Sequence, residues 1–332
     1  MSNPYWNKDF FEFFSVLFGR LGRWLTFDSS VGPLASDEIQ LLVLVAIAVS
    51  SALVGTFLVL RRMTMLANSL SHTILLGIVS AFLICSQAIT TEGFSLPILL
   101  GASLITGLVT TVLTQILTHL MRLQEDASIG LVFNTLFALG ILFVTLFTRN
   151  VHLGVEAIMG NIDALHVDDL KLVFSVGLIT LITVVCFFKQ FTLVSFDSAH
   201  ARTLGFSPLF YTYFLMVLVS ATSIGAFRAV GVLLFLAFLV GPVLTARLFT
   251  DRLPKLILIA ALIGSLSSLI SIALARHLLS CYHLPLSTAG LVVTMIGLIY
   301  LLAVLFAPER GLITQWVVKS RWKKRVEEMQ RT

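Results

Sequence analysis

Charge is the scarcest property of this chain. Only 12% of its 332 residues are Asp, Glu, Lys or Arg, against 58% hydrophobic residues, and the mean hydropathy is +1.00. A water-soluble fold of that composition has too little polar surface to cover itself. Cysteine is nearly missing as well. Cys85, Cys186 and Cys281 lie far apart, form no CxxC pair and are odd in number, which argues against a disulfide framework. Placed in or beside apolar runs, they read as buried packing residues. Sequence signatures of chemistry are also lacking. There is no GxxxxGK followed by Ser or Thr to cradle a nucleotide phosphate, no HExxH and no GxSxG elbow. Catalysis by the chain itself therefore has no evident centre. The first residues lack a basic stretch ahead of an apolar core and a small-residue cleavage site, so they do not read as a cleaved signal peptide.

What the chain has in abundance is long apolar runs. Ile39–Leu60 carries no charged residue, and about 20 apolar residues in a helix cover the ~30 Å hydrocarbon slab. Further runs follow at about Leu66–Gln87, Leu96–Leu120, Ile129–Thr148, Leu170–Phe188, Leu209–Phe227, Ala229–Phe249, Leu256–Leu279 and Leu284–Phe306. The two around Arg228 can also be read as one broken element. In lipid the backbone must satisfy its own hydrogen bonds, so these runs are predicted to be helices. The expected fold is all-α, a polytopic transmembrane helical bundle of about eight or nine spans.

Orientation follows from Lys and Arg. With nine spans and the N-terminus outside, Arg61, Arg62, Arg122, Lys189, Arg202, Arg247, Arg252 and Lys255 fall on the cytoplasmic side, together with seven basic residues of the C-terminal tail. Seven basic residues fall outside, so the bias predicts N-out and C-in. The net charge of +5 then reflects membrane orientation, and no nucleic-acid partner is needed to explain it. Three regions are expected. Residues 1–38 form an N-terminal extension, residues 39–313 the transmembrane domain, and residues 314–332 a basic cytoplasmic tail. In the extension, Phe10, Phe13, Phe14, Leu17, Leu21, Trp24 and Leu25 recur at helical spacing with Glu12, Arg20 and Arg23 between them. That pattern predicts an amphipathic helix resting in the lipid interface.

Polar residues inside spans tend to face a cavity or another helix. Asn68 and His72 are four apart, so they share one helical face near the start of the second run. An imidazole is a frequent transition-metal ligand and an amide oxygen a weaker donor; interhelical hydrogen bonding would account for both equally. Glu125 and Asp126 lead into the fourth run, where acids suit a helix N-terminus. Between the fifth and sixth runs, Asp197 reads as an N-cap, Ala199 to Leu204 as a short helix and Gly205 as its C-cap, with Pro208 ending the element. A capped helix is more structure than a linker requires, and a docking element for a soluble partner fits it, as does a compact loop. The loop 149–169 holds His152, Glu156, Asp163, His166, Asp168 and Asp169, which can collect a cation electrostatically or simply be a polar loop. Pro242 within the seventh run predicts a kink. Pro285 reads as the opening of the last span, and His277 and His283 flank the loop before it, a weak sign of a metal site.

Taken together these segments resemble the permease family of bacterial ABC importers for zinc, manganese and iron. The resemblance runs over nearly all of Ile39–Ile313. It is carried in order by RRMTMLANSLSHTILLG, EDASIGLVFNTLFALG, FDSAHARTLG, AVGVLLFLAFLVGPVLTARL, LPLSTAGLVV and the closing FAPERGLI. It implies a multi-pass permease of the inner (plasma) membrane that pairs with a second copy or a sister permease and works by alternating access. It also implies two ATPase subunits that hydrolyse ATP, and an extracytoplasmic metal-binding protein. Divalent metal is then the cargo, and no cofactor is held permanently. The segment around Phe196, Asp197, Ala201, Leu204 and Gly205 would be the helix that couples to the ATPase. Asn68 and His72 match path-lining positions. The chain departs from the family pattern by Asn68 in place of Asp, Leu76 in place of Pro, and His283 where an acid usually precedes the last Leu-Pro. Other readings of the residues are a permease for metal chelates of the siderophore or cobalamin type, and an ion-coupled secondary carrier.

Overall fold

Helices are the only regular elements among the described residues, and one of them lies at the centre of the rest. The computed structural model describes residues 4–6, 8–25, 34–65, 69, 73, 76–77, 79–80, 96–147, 162–308 and 311–315. Eleven α-helices and a short 3-10 turn are present within those bounds: α1 (Phe10–Leu25), α2 (Ser36–Leu60), α3 (Leu96–Leu120), α4 (Glu125–Phe147), the 3-10 turn Ile162–Ala164, α5 (Val167–Cys186), α6 (Phe188–Phe196), α7 (Ser198–Thr203), α8 (Pro208–Val230), α9 (Val232–Phe249), α10 (Leu253–Tyr282) and α11 (Thr288–Phe306). Seven of these helices are each long and apolar enough to cross a bilayer, and α3 adds the described apolar stretch Leu104–Thr118. The expected span over residues 66–87 lies mostly outside the described residues. The bundle is thus all-helical and polytopic, with about seven candidate spans among the described residues; eight or nine were expected over the whole chain.

The axis of the bundle is α2, which packs against α5, α8, α9 and α10 and has 78% of its central window buried. Between apolar helices in lipid, association rests on close packing instead of water exclusion, so small side chains mark the contacts. Ala48, Ser51, Ala52 and Gly55 are buried on α2. A Cβ on Gly55 would collide with the backbone carbonyl of Leu239 on α9, and one on Gly264 of α10 would press on Ala48 at 2.9 Å. Several buried hydroxyls are satisfied inside their own helices. Thr56 donates to the Ala52 carbonyl at 2.7 Å, Ser223 to Val219 at 2.7 Å and Ser268 to Gly264 at 2.8 Å.

The region around Arg228 resolves into two helices. Arg61 at the end of α2 donates to the Thr212 hydroxyl near the start of α8 (2.7 Å), so α8 runs opposite to α2. Val243 and Ala246 of α9 cluster with Ala52 and Val59 of α2, and Phe235 lies beside Ile47, so α9 runs back along α2. The reversal takes one residue, Gly231 (φ 81°, ψ 170°), a conformation open to glycine and almost nothing else. Residues 229–232 are all buried, so the turn is made inside the bundle.

Several local expectations need correction. Cys186 and Cys281 are exposed, the first as the last residue of α5 and the second one residue before the end of α10; Cys85 lies outside the described residues. Pro285 does not open the last helix. His283 closes α10 in a left-handed conformation (φ 53°), and the chain needs Leu284–Leu286 to turn before Ser287 precedes α11. Pro208 does not end the short connecting helix. It is the first residue of α8, where its missing N–H costs nothing.

Candidate functional site

Two features stand at opposite ends of α2, whose 25 residues at about 1.5 Å each separate them by roughly 37 Å. At the N-terminal end is a cavity of about 320 Å³ walled by Asp37, Gln40, Asp163, Arg276, Pro285 and Thr288 among others. The side chains converge because α2, α11 and the 3-10 turn before α5 begin here while α10 ends here. Asp37 is 1% exposed and pairs with Arg276 on α10 (2.5 Å). Asp163 accepts from the Thr288 hydroxyl at 2.7 Å and from the Gln40 amide at 3.4 Å. These two donors are neutral, so the Asp163 carboxylate keeps its charge uncompensated by them while Asp37 has a guanidinium. The wall therefore offers one accessible acid to a cation, with a neutralised buried pair behind it.

Beside the cavity a second network anchors the N-terminal extension. Glu38 reaches back to the Ala35 N–H (2.8 Å), which satisfies one orphan donor at the start of α2. It also accepts from the Tyr5 hydroxyl at 2.8 Å and pairs with Arg20 at 2.5 Å. Burial first, and the hydrogen bond to Glu38 second, push the Tyr5 hydroxyl above its ordinary value. The hydrogen bond to Glu38 is the main cause raising Arg20. The amphipathic α1 is present, but Phe13 and Leu17 are buried while Phe11, Phe18 and Leu21 are exposed. One side of α1 thus packs on the bundle, against α10, and the other remains for lipid.

At the C-terminal end of α2, rings of Phe57, Phe188 and Phe191 seat α6 against it, and α7 projects beyond. Asp197 caps α7 by accepting from the His200 N–H at 2.9 Å. The end is closed by Phe206 N–H to the Ala201 carbonyl (3.0 Å) and Gly205 N–H to the Arg202 carbonyl (3.0 Å), with Gly205 left-handed at φ 83°. The helix spans Ser198–Thr203, one residue earlier than expected. Ala201 is fully buried, whereas the rest of Asp197–Gly205 is exposed, and Phe196 (64%) and Leu204 (55%) present apolar surface. The result is a capped knob whose shoulders expose apolar surface.

The other sequence candidates are distributed as follows. Asn68 and His72 lie outside the described residues. Close to them in sequence, Thr73 is buried, and its hydroxyl lies within hydrogen-bond distance (3.0 Å) of the Thr110 hydroxyl of α3. Glu125 and Asp126 are the first two residues of α4, with Asp126 exposed. Pro242 is buried inside α9, where it removes one internal hydrogen bond. His283 is exposed and does not join the cavity wall. Of the described loop acids, only Asp163 faces the cavity. Asp168 pairs with Lys171 (3.0 Å), and Asp169 accepts from the His166 N–H (3.1 Å) to start α5. Residues 148–161 lie outside the described residues. Sequence reasoning passed over the Asp37–Arg276 pair and the threonine row Thr106, Thr110, Thr114 and Thr118 on α3. Each of these four donates to the carbonyl four residues back (2.8–2.9 Å). The spacing of four was the available signal.

Comparison with known proteins follows the same outline. The family model described as "ABC 3 transport family" matches residues 38–307. A probable metal transport system membrane protein of Chlamydia trachomatis is 41% identical over 92% of this chain and 94% of its own length. The manganese transport system membrane protein MntD of Bacillus subtilis is 37% identical, over 82% and 92%. The zinc transport system membrane protein TroD of Treponema pallidum is 33% identical, over 83% and 76%. Among solved structures, PsaBC from Streptococcus pneumoniae in complex with Fab has a similar fold. Its TM-score is 0.68 at 24% identity, covering 82% of this chain and 91% of that one.

Proposed function

The chain belongs to the ABC 3 transport family, and from that premise we propose that it is the membrane permease of an ATP-driven importer of manganese, zinc or iron. It is a multi-pass membrane subunit of a bacterial ABC transporter, a transport component and not an enzyme. The observation that carries the further reading is the capped α7 knob standing opposite an acid-bearing cavity, one at each end of α2.

In this reading the cavity end faces out. Asp163 and its neutral donors meet the cation delivered by an extracytoplasmic binding protein. The knob end faces the cytoplasm, where Phe196 and Leu204 seat in the groove of a separate ATPase. Nucleotide binding and hydrolysis there bias a two-state permease, and α7 transmits the bias through Ala201 and α6 to the foot of α2. The exposed apolar faces of α4 and α11 are left for lipid and for a second permease copy or sister chain. Asn68 and His72 line the path between the two ends, the imidazole as ligand and the amide as weak donor.

The test is metal uptake in vesicles containing the chain with its ATPase. Asp197→Ala and Gly205→Val are expected to uncouple ATP hydrolysis from uptake while the protein stays monodisperse, and His72→Ala to lower flux without altering ATPase binding. Uptake by the chain alone under an ion gradient, without ATPase, would instead favour a secondary carrier.

A further inference from the structure

The geometry points to a zinc-type metal site that clips the N-terminal extension to the outer end of α10, formed by Asp9, His277 and Cys281. His277 and Cys281 are four apart on α10, so their side chains rise from one face. Asp9, the residue before α1, meets them across the contact between α1 and α10. The Cys281 thiol donates to Asp9 Oδ1 at 3.2 Å, the sulfur lies 3.5 Å from His277 Nδ1, and His277 Nδ1 lies 4.0 Å from Asp9 Oδ1. Tetrahedral bonds of about 2.0 Å to N or O and about 2.3 Å to S place ligand atoms some 3.3–3.6 Å apart, so movements of a few tenths of an ångström complete the set. Cys281 enters as thiolate and releases its proton to solvent. Water takes the fourth position, which makes this an exchanging site.

The surroundings hold the ligands ready. The imidazole is bracketed edge-on by Phe10 (6.5 Å) and Tyr282 (6.3 Å). Lys8, next to Asp9, points its amine to Glu12 (3.2 Å). Asp9 is fixed in space because Phe13 and Leu17 are buried and Tyr5 and Arg20 are tied to Glu38. A thiolate, an imidazole and a carboxylate favour zinc over manganese, which prefers oxygen ligands. His277 also follows Arg276 of the cavity wall directly, so occupation of this site would stiffen that wall. The inference is separate from the transport reading, because its readouts are binding and stability, not uptake.

The experiment uses the full-length chain in detergent, with Cys85 and Cys186 replaced by serine, titrated with Co²⁺ as an optical stand-in for zinc. One equivalent should produce thiolate-to-cobalt charge-transfer absorption with the visible bands of tetrahedral cobalt, and zinc should displace it where manganese does not. Cys281→Ser should abolish the charge-transfer band, and Asp9→Asn should weaken binding at least about tenfold. Zinc should raise the melting temperature of the parent but not of His277→Ala, with the metal-free melting points alike. No charge-transfer band in the parent, a band surviving Cys281→Ser, or equal displacement by manganese would each overturn the assignment.

Discussion

At the N-terminal end of α2, Asp37 and Glu38 are buried, ion-paired to Arg276 and Arg20, and tied into elements from three distant parts of the chain. At its C-terminal end, α7 is almost wholly exposed, is capped only by its own residues and is held by one buried alanine. The first end is locked by long-range charge in a site shielded from water, where losing one partner is costly. The second is a self-contained unit whose shape is set locally and whose outer surface is exposed. The difference teaches how one central helix can carry two kinds of end: a rim locked by distant parts of the chain, and a locally built unit that stands out from the bundle.

The contrast breaks most sharply at Arg276. Arg276→Ala leaves Asp37 without its arginine, and about 3–5 kcal/mol of stability should be lost, read as a large fall in melting temperature in detergent. The double variant Asp37→Leu/Arg276→Leu should recover most of it. Equal losses in both would mean that the pair is not the lock. At the other end the expected losses are smaller and confined to the knob. Gly205→Val forces a branched residue into the left-handed region, at a local penalty of about 1–2 kcal/mol, because no neighbour lies near its Cβ to add a clash. Hydrogen exchange should then rise in residues 197–206 alone. Asp197→Ala removes a single cap, about 1 kcal/mol, and exchange at the His200 amide should report it. A global drop in melting temperature from either knob variant would erase the distinction between the ends.

Two finer tests sharpen it. The Tyr5 hydroxyl titrates above its ordinary value because it is buried, so the folded state holds its proton longer than the unfolded chain does. Its contribution is complete below the ordinary tyrosine range and fades as pH rises through and above that range. Proteolysis of the extension should accelerate there and stay unchanged from neutral pH up to that range; Tyr5→Phe should remove the alkaline step. Smallest of all, Lys171→Ala deletes an exposed pair with Asp168 on the same end and should leave melting unchanged, since solvent screens it. A measurable loss would show that exposure, not just connection, fails to separate the pairs.

Much of this was legible in the residues. Apolar run length marked the positions of α2, α3, α4, α5 and α8 to α11, because helix length must match the hydrocarbon thickness. Asp197 and Gly205 announced the knob, because capping chemistry is local and acts within a few residues. Cys186 and Cys281 were misread because hydropathy averages over a run and does not say which positions of a helix stay exposed. Arg276 gave no signal of its partner, since Asp37 lies 239 positions away. The reversal at Gly231 was ambiguous for a similar reason: the runs on either side of Arg228 are apolar whether the chain bends there or continues.

Sequence alone thus determined that the chain is a helical membrane bundle, where the long apolar helices begin and end to within a few residues, and that a capped turn interrupts it; the short α6 was not foreseen. Those features arise from interactions within one or two helical turns or from the energetics of burying backbone in lipid. Only the tertiary structure decided which helix is central, that Asp37 meets Arg276, and that Asp163 rather than Asp168 or Asp169 faces the cavity. It also decided that Asp9 stands beside His277 and Cys281. Such pairings depend on helix rotation and crossing, which small-residue contacts such as Gly55 against Leu239 set across the whole bundle.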